Sequence, residues 1–195
     1  MYNRQQALDL LHKHMQNQNL RRHCYAVEAV MKALAKYFKE DEESWAIAGL
    51  LHDADYELTK NDSSKHVVTV VSWLKAEGVD EKIINAIYAH GWNYVPDCPQ
   101  PKKNMEWSLY CCDELTGLIV AVALVRPDPP PGEAGKKLST VTVESVMKKW
   151  SNKSFAAGAS RDQIALCEEK LGIKLPDFID IALKAMQGIS GELGL

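Results

Sequence analysis

The sequence lacks the features that mark strongly basic, membrane-spanning or secreted proteins. Its 195 residues carry 23 lysines and arginines against 26 aspartates and glutamates, a formal net charge of −3. This near balance argues against a protein whose main task is to bind nucleic acid, because such domains are usually strongly basic. There is no run of about 18 apolar residues, so we expect no membrane-spanning helix and no membrane partner.

Cysteines are few, and they show no pairing pattern. The chain has five, which is an odd number, and no two of them form a Cys-x-x-Cys pair. They are Cys24, Cys98, Cys111, Cys112 and Cys167. The polar start of the chain, MYNRQQALDLLHKHMQ, has no apolar segment of the signal-peptide type. Together these absences predict a cytoplasmic protein with free thiols.

What the sequence has in quantity is helical periodicity. Apolar residues recur three and four positions apart in most of the chain, which is typical of amphipathic helices. The segments predicted before the proline-rich region are 4–16, 20–39, 42–52, 63–77, 80–90 and 105–125. The valines of 63–77 would also suit a strand, but Ser63 or Ser64 as a cap and Gly78 as a stop favour a helix. No strand pairs are evident, so we predict an all-α fold.

A proline-rich loop divides the chain. Residues 126–140 include three consecutive prolines, which lack amide donors and exclude regular structure. We therefore predict a helical core over 1–125. The remainder, 141–195, is predicted to be a helical extension packed on the same domain, with helices at 141–150, 160–171 and 176–193.

Two aspartates stand in unusually apolar surroundings. His52-Asp53 closes the most apolar helix of the chain, and Asp113 lies between apolar turns of segment 105–125. A charged carboxylate is costly to bury unless something pairs with it. Imidazole and carboxylate together are a normal ligand set for a first-row divalent metal ion, which would provide that pairing.

The order of these residues resembles the HD-domain superfamily of metal-dependent phosphohydrolases, in particular the small bacterial HDIG-type hydrolases. The resemblance runs over about 20–125 and rests on His23, His52-Asp53 and Asp113, all on predicted helices. The stretches that carry it are LRRHCYAVEAVMKALA, WAIAGLLHDADYE, AIYAHGW and LYCCDELTGLIVA. It implies a compact helical HD-domain bundle.

The resemblance also implies a ligand set. His23, His52, Asp53 and Asp113 would hold one metal ion, and His66 and His90 would hold a second ion with Asp53 as the bridge. Asp53, His66 and His90 are then the predicted catalytic residues. The metal would be Fe, Mn, Ni, Co or Zn, with no other cofactor. From the residues alone, His66 also fits a solvated helix start and His90 a cation at a helix C-terminus.

The implied activity is hydrolysis of a phosphomonoester or phosphodiester in a small metabolite or nucleotide, with metal-bound hydroxide as the nucleophile. The chain departs from the cyclic-dinucleotide branch, since it has no GYP-type signature and only one histidine at His90-Gly91. Two alternatives stay open. Six such ligands also resemble mixed-valence di-iron oxygenases, and a nucleotide-sensing module could keep the metal ligands without turnover.

Several further residues have competing interpretations. Lys153 and Arg161 are candidates for contacting substrate phosphate, although cations in this region more often form a solvated face. A solvated turn is favoured for Asp55 and Glu57 over a role beside the metal. Trp92 and Tyr94 could stack on a base or simply pack. The expected partner is a phosphorylated small molecule, and a homodimer is left open.

Overall fold

The regular structure of the protein is entirely helical, as predicted. The computed structural model describes residues 2–127 and 137–195, and within them it has eleven α-helices, two 3₁₀ turns and no strand. The helices are α1 Arg4–His14, α2 Gln18–Phe38, α3 Glu42–Leu51, α4 Tyr56–Thr59, α5 Val68–Ala76, α6 Glu81–His90, α7 Asn104–Leu124, α8 Val143–Trp150, α9 Arg161–Leu171, α10 Leu175–Gln187 and α11 Ser190–Leu193. The 3₁₀ turns span Ser63–Lys65 and Lys137–Thr140.

The close crossing of α2 and α3 forms the centre of the molecule. Helix α3 is capped by the Asp41 carboxylate, which accepts from the Glu43 amide, and it is apolar and buried on nearly all sides. Gly49 allows the crossing, because a Cβ built there would lie 2.8 Å from the carbonyl oxygen of Val27. The two helices therefore approach backbone to backbone, which brings the end of α3 against the first half of α2.

Helix α7 lies behind this crossing as a core helix. By length and composition it is apolar enough to cross a membrane, but 67% of its most apolar window is buried inside the molecule. It packs against α2, α6 and α9. The apolar residues that suggest a span are therefore the ones that build the core of the bundle.

The helix predicted over 63–77 is wrong in its first third. A 3₁₀ turn ends at Lys65, and α5 begins only at Val68. Between them Val67 has φ 67° and ψ −47°, and the Val68 amide donates to the His66 carbonyl over 2.7 Å, which is a classic γ-turn. A positive φ is costly for a β-branched residue. This reversal of the chain presents His66 to the interior.

The C-terminal helices pack directly on the helices of the first part of the chain. Helix α9 lies on α7, α10 lies on α2, and their apolar residues join a single buried cluster with those of α2, α3 and α7. The helix predicted over 176–193 is interrupted at 188–189, so that it ends as two helices, α10 and α11. Of the predicted loop 126–140, residues 128–136 lie outside the described residues.

Candidate metal centre

Six side chains from five parts of the chain meet beside the α2–α3 crossing. They are His23 in α2, His52 and Asp53 directly after α3, His66 at the γ-turn, His90 at the last position of α6 and Asp113 in the middle of α7. Every predicted metal ligand therefore lies in one cluster. The cluster is mostly buried, with His52 wholly enclosed and the His23 side chain 26% exposed.

The first half of the cluster is formed by His23, His52, Asp53 and Asp113. The His23 Nε2 lies 2.9 Å from the Asp113 Oδ1 and 3.2 Å from the His52 Nε2. The His52 Nε2 lies 3.4 Å from the same Asp113 oxygen and 3.7 Å from the Asp53 Oδ1. Neighbouring donors about 2.1 Å from one ion lie about 3–3.4 Å apart, so this spacing fits a shared cation.

The second half is formed by His66 and His90 around the same aspartate. Their Nε2 atoms lie 3.4 Å and 3.5 Å from the Asp53 Oδ1. Ligand atoms of His23, His52 and Asp53 lie within 4.8 Å of one another, as do those of Asp53, His66 and His90. Asp53 belongs to both groups, which is the position of a bridging carboxylate between two ions.

Each of the four imidazoles is oriented by a hydrogen-bond acceptor that lies next to its Nδ1 atom, on the side of the ring away from the cluster. The Nδ1 of His52 donates to the Gly49 carbonyl over 2.8 Å, and that of His90 donates to the Ile87 carbonyl over 2.6 Å. The Nδ1 of His23 lies 3.3 Å from the Thr116 hydroxyl oxygen, whose own proton goes to the Asp113 carbonyl. Such outer hydrogen bonds fix the ring and leave Nε2 free to bind a metal ion.

Asp55 orients the fourth imidazole, and the solvated turn favoured for it is wrong. Its side chain is fully buried: Oδ1 accepts from the His66 Nδ1 over 2.8 Å, and Oδ2 accepts from the Val70 amide over 2.9 Å. Asp55 thus holds His66 and also caps the start of α5, which has no local side-chain cap. The sequence signal was its position two residues after Asp53. Glu57 instead accepts from the amides of Gln16 and Asn17.

Imidazoles and carboxylates lie within a few ångströms of one another in the cluster, so neighbouring charges shift pKa values within it. Burial alone would lower the pKa of His52, but the charges of Asp53 and Asp113 outweigh it and raise that pKa to about 9. In the same way, hydrogen bonds from His66 to Asp53 and Asp55 overcome burial and raise the pKa of His66 to about 10. In the metal-free protein, protons on His52 and His66 thus balance the carboxylates, and a divalent cation can take their place.

A cavity of about 320 Å³ opens onto the cluster from the side of His23 and Asp113. Its other lining residues are Glu114, Gly117, Ala156, Gly158 and Ala159. Sequence reasoning missed Glu114, whose Oε2 accepts from the Ser160 amide over 2.9 Å and so ties the start of α9 to the cavity. Burial and the neighbouring Asp113 charge raise the pKa of Glu114 to about 7.

The structure gives Arg161 a different role from the predicted phosphate contact. Its buried guanidinium donates to the carbonyls of Phe155, Ala156 and Ala159 over 2.6, 2.8 and 2.7 Å. It therefore holds the loop that forms the far wall of the cavity. Lys153 is largely exposed and lies 3.8 Å from the Asp162 carboxylate, so its contact with substrate stays a prediction.

Of the two aromatic residues considered for base stacking, Tyr94 is 54% exposed with its hydroxyl donating to the Gln163 Oε1, whereas Trp92 packs on the protein. Trp92 meets Trp107 edge-on and lies tilted against Tyr110, with ring centroids 5.8 and 5.5 Å apart. Packing is therefore the interpretation that the structure favours for Trp92.

Fold and cluster define an all-helical protein with a buried histidine and aspartate centre suited to one or two transition-metal ions. The family model of the HD domain matches residues 20–112. This match covers 93 of the 195 residues, and the HD domain is that of a superfamily made up mostly of metal-dependent phosphohydrolases. The match holds five of the six cluster residues and ends one residue before Asp113. A search of the curated proteins finds no match.

Proposed function

We propose that the protein is a metal-dependent phosphohydrolase acting on a small phosphorylated metabolite or nucleotide. The observation that carries the proposal is the shared orientation of four imidazoles, each held at Nδ1 by a protein acceptor and turned with Nε2 toward Asp53 or Asp113. A cluster so arranged offers donors to a cation rather than hydrogen bonds to a neutral ligand.

His23, His52, Asp53 and Asp113 would hold the first ion, and Asp53, His66 and His90 would hold the second. Bound metal would supply hydroxide from water near neutral pH and neutralise the oxygens of a phosphoryl group. Four protein donors leave two positions of an octahedral ion open, as catalysis requires. Substrate would reach the ions from the cavity beside His23 and Asp113, since both residues line it.

The residues of the chain supply the remaining parts of the reaction. Asp53 belongs to both halves of the cluster and fixes the separation between them, while Asp55 keeps His66 in place. The phosphoryl group would enter between the cluster and the loop that Arg161 holds. Ala156, Gly158 and Ala159, three small residues of that loop, line the cavity.

The test is a phosphoester panel on protein stripped of metal and reloaded with manganese, nickel or cobalt. Wild type should release phosphate from at least one class of monoester or diester, and Asp53→Ala should lose both bound metal and turnover. Asp9→Ala, which removes an exposed carboxylate on α1, is the matched control and should behave as wild type. An active, metal-free Asp53→Ala protein would overturn the proposal.

A parallel arm addresses the oxygenase alternative, which the set of four histidines and two aspartates keeps open. Iron-loaded protein is placed in an oxygen electrode with the same compounds and with their dephosphorylated alcohols. Oxygen uptake without phosphate release would reject the hydrolase. Metal binding without either reaction over the whole panel would favour a sensing module.

A further inference from the structure

A second cavity adjoins the metal centre and has a different character. This apolar groove, of about 430 Å³, runs between α2, α7 and the α11 region. Its lining residues are Asn19, Arg22, His23, Gly117, Val120, Leu124, Leu193, Gly194 and Leu195. Four of them are aliphatic, and the polar side chains besides His23 both come from the start of α2. Leu124, the last residue of α7, is 58% exposed and offers apolar surface to this groove.

The apolar groove and the cavity at the metal centre share a border. His23 and Gly117 line both of them. His23 is a proposed metal ligand, so a molecule whose phosphate lies at the ions can extend directly into the groove. Gly117 lies at this border.

Gly117 has no structural reason to be glycine. It lies inside the 21-residue helix α7, on an exposed face, and a Cβ built there meets nothing within 4 Å. A glycine in a helix interior destabilises the helix relative to alanine. Gly49 is the opposite case, since its Cβ would collide with the backbone of α2. The absent side chain at 117 therefore leaves room for something other than the protein.

We infer that the apolar groove binds the alcohol portion of the substrate, and that this portion is aliphatic; the inference rests on the proposed phosphohydrolase function. Gly117 is then a specificity-determining residue, which lets the chain of the ester pass from the metal centre into the groove. Among the residues that the structure describes, no aromatic ring except His23 lines the groove, so it offers no platform for stacking a nucleobase. The substrate class is thus a phosphate ester of an apolar alcohol rather than a nucleotide.

The test uses a series of straight-chain alkyl phosphates from methyl to octyl, with the metal-loaded protein. Burying each methylene is worth a factor of about three to four, so kcat/KM should rise by about that factor per added carbon until the groove is filled. The matching alkylphosphonates, which cannot be hydrolysed, give a readout besides activity. Their Kd measured by calorimetry should tighten along the same series.

Substitutions at Gly117 test whether the chain-length dependence arises where the apolar groove meets the metal-centre cavity. Gly117→Leu should remove most of the chain-length dependence, both of kcat/KM and of phosphonate Kd, since a leucine side chain would fill the border between the cavity and the groove. Gly117→Ala should unfold at the same temperature as wild type or a higher one, which shows that the glycine does not serve folding. Ala165→Leu, an added leucine on the exposed face of α9, is the matched control and should keep the full dependence.

A second variant decides the question if Gly117→Leu does not fold. Leu124→Asn changes an exposed groove residue and should weaken octylphosphonate binding at least fivefold, with methylphosphonate unchanged. Equal Kd values along the series in wild type would overturn the inference, as would octylphosphonate binding that survives both substitutions.

The outcomes separate this inference from the proposed function. If phosphate esters are hydrolysed without any dependence on chain length, the groove does not bind the alcohol portion, but the proposed phosphohydrolase function is supported. If phosphonate binding depends on chain length but no ester is hydrolysed, the groove binds apolar chains and the proposed phosphohydrolase function is contradicted. Faster turnover of nucleotides than of octyl phosphate would also contradict the assignment of substrate class.

Discussion

The Nδ1 of His66 lies 2.8 Å from the Oδ1 of Asp55, a carboxylate that is completely enclosed by the protein. The other oxygen of Asp55 accepts from the Val70 amide at the start of α5. One side chain therefore joins the orientation of a proposed metal ligand to the beginning of a helix. Because His66 sits at a γ-turn, this bond also holds a backbone conformation that would otherwise be unfavourable.

Replacing Asp55 should weaken metal binding without removing a ligand. In Asp55→Asn the amide oxygen can still accept from one donor, but the paired acceptor for His66 is lost, so we expect a 10–100-fold loss of affinity at the second metal position. Calorimetric titration of metal-free protein with manganese measures it. Asp55→Ala should also lower the Tm, since α5 loses its cap. Asp62→Asn, an exposed carboxylate nearby, is the control, and two ions held with wild-type affinity by Asp55→Asn would contradict the role.

The crossing at Gly49 should be sensitive to a single methyl group. Gly49→Ala places a Cβ 2.8 Å from the Val27 carbonyl, and the helices must move apart. Overpacking of this kind typically costs about 1–3 kcal/mol of unfolding free energy. Since His23 lies on α2 and His52 directly follows α3, metal affinity should fall together with stability. Denaturant unfolding and calorimetry test both effects. Gly191→Ala, whose Cβ meets no atom within 4 Å, should change neither.

The metal-free protein should lose stability as the pH rises. The pKa values of His52 and His66 are raised from 6.5 to about 9 and about 10. The folded state therefore binds protons more tightly than the unfolded state, and this contribution is complete below pH 6.5 and disappears as the pH approaches 9–10. The lowered pKa of Asp53 works in the opposite range, since its contribution is present above its ordinary pKa and is lost in acid.

The measurement is the Tm of chelator-treated protein between pH 5 and 10, which should fall through the upper part of this range. With excess manganese the slope should flatten or reverse, because metal binding requires neutral imidazoles and improves with pH. A metal-free protein whose Tm rises from pH 6.5 to 9 would show that the histidines are not held in the protonated form.

A substitution in one half of the cluster should change the number of metal ions bound per chain without emptying the other half. His90 lies 3.5 Å from the Asp53 Oδ1 and takes part only in the second half. We expect His90→Gln to bind about one ion per chain where wild type binds about two, because the donors of the first half stay in place. Elemental analysis after gel filtration measures the ratio. His12→Gln, on the outer face of α1, should keep two ions. Loss of both ions in His90→Gln would indicate a single shared site.

The all-α fold class and the side chains that could bind metal ions were predictable from the sequence. Periodicity identified most helices, because a buried stripe must recur every three to four residues whatever the helix packs against. The apolar surroundings of His52-Asp53 and Asp113 marked them as groups that need a cation. The break at Val67 was not visible, since a β-branched residue rarely adopts a positive φ. At 188–189 the sequence does offer a stop signal in Gly188, but a single glycine in a periodic segment does not by itself end a helix.

By itself, then, the sequence determined that the chain folds as helices and which side chains are capable of holding metal ions. Only the tertiary structure decided that Asp55 is buried under His66, that Arg161 supports the wall of the cavity and that Gly117 borders an apolar groove. These facts depend on residues tens of positions apart meeting in space. Local spacing fixes the face on which a side chain lies, whereas its partners and its exposure are set by the helices that pack over it.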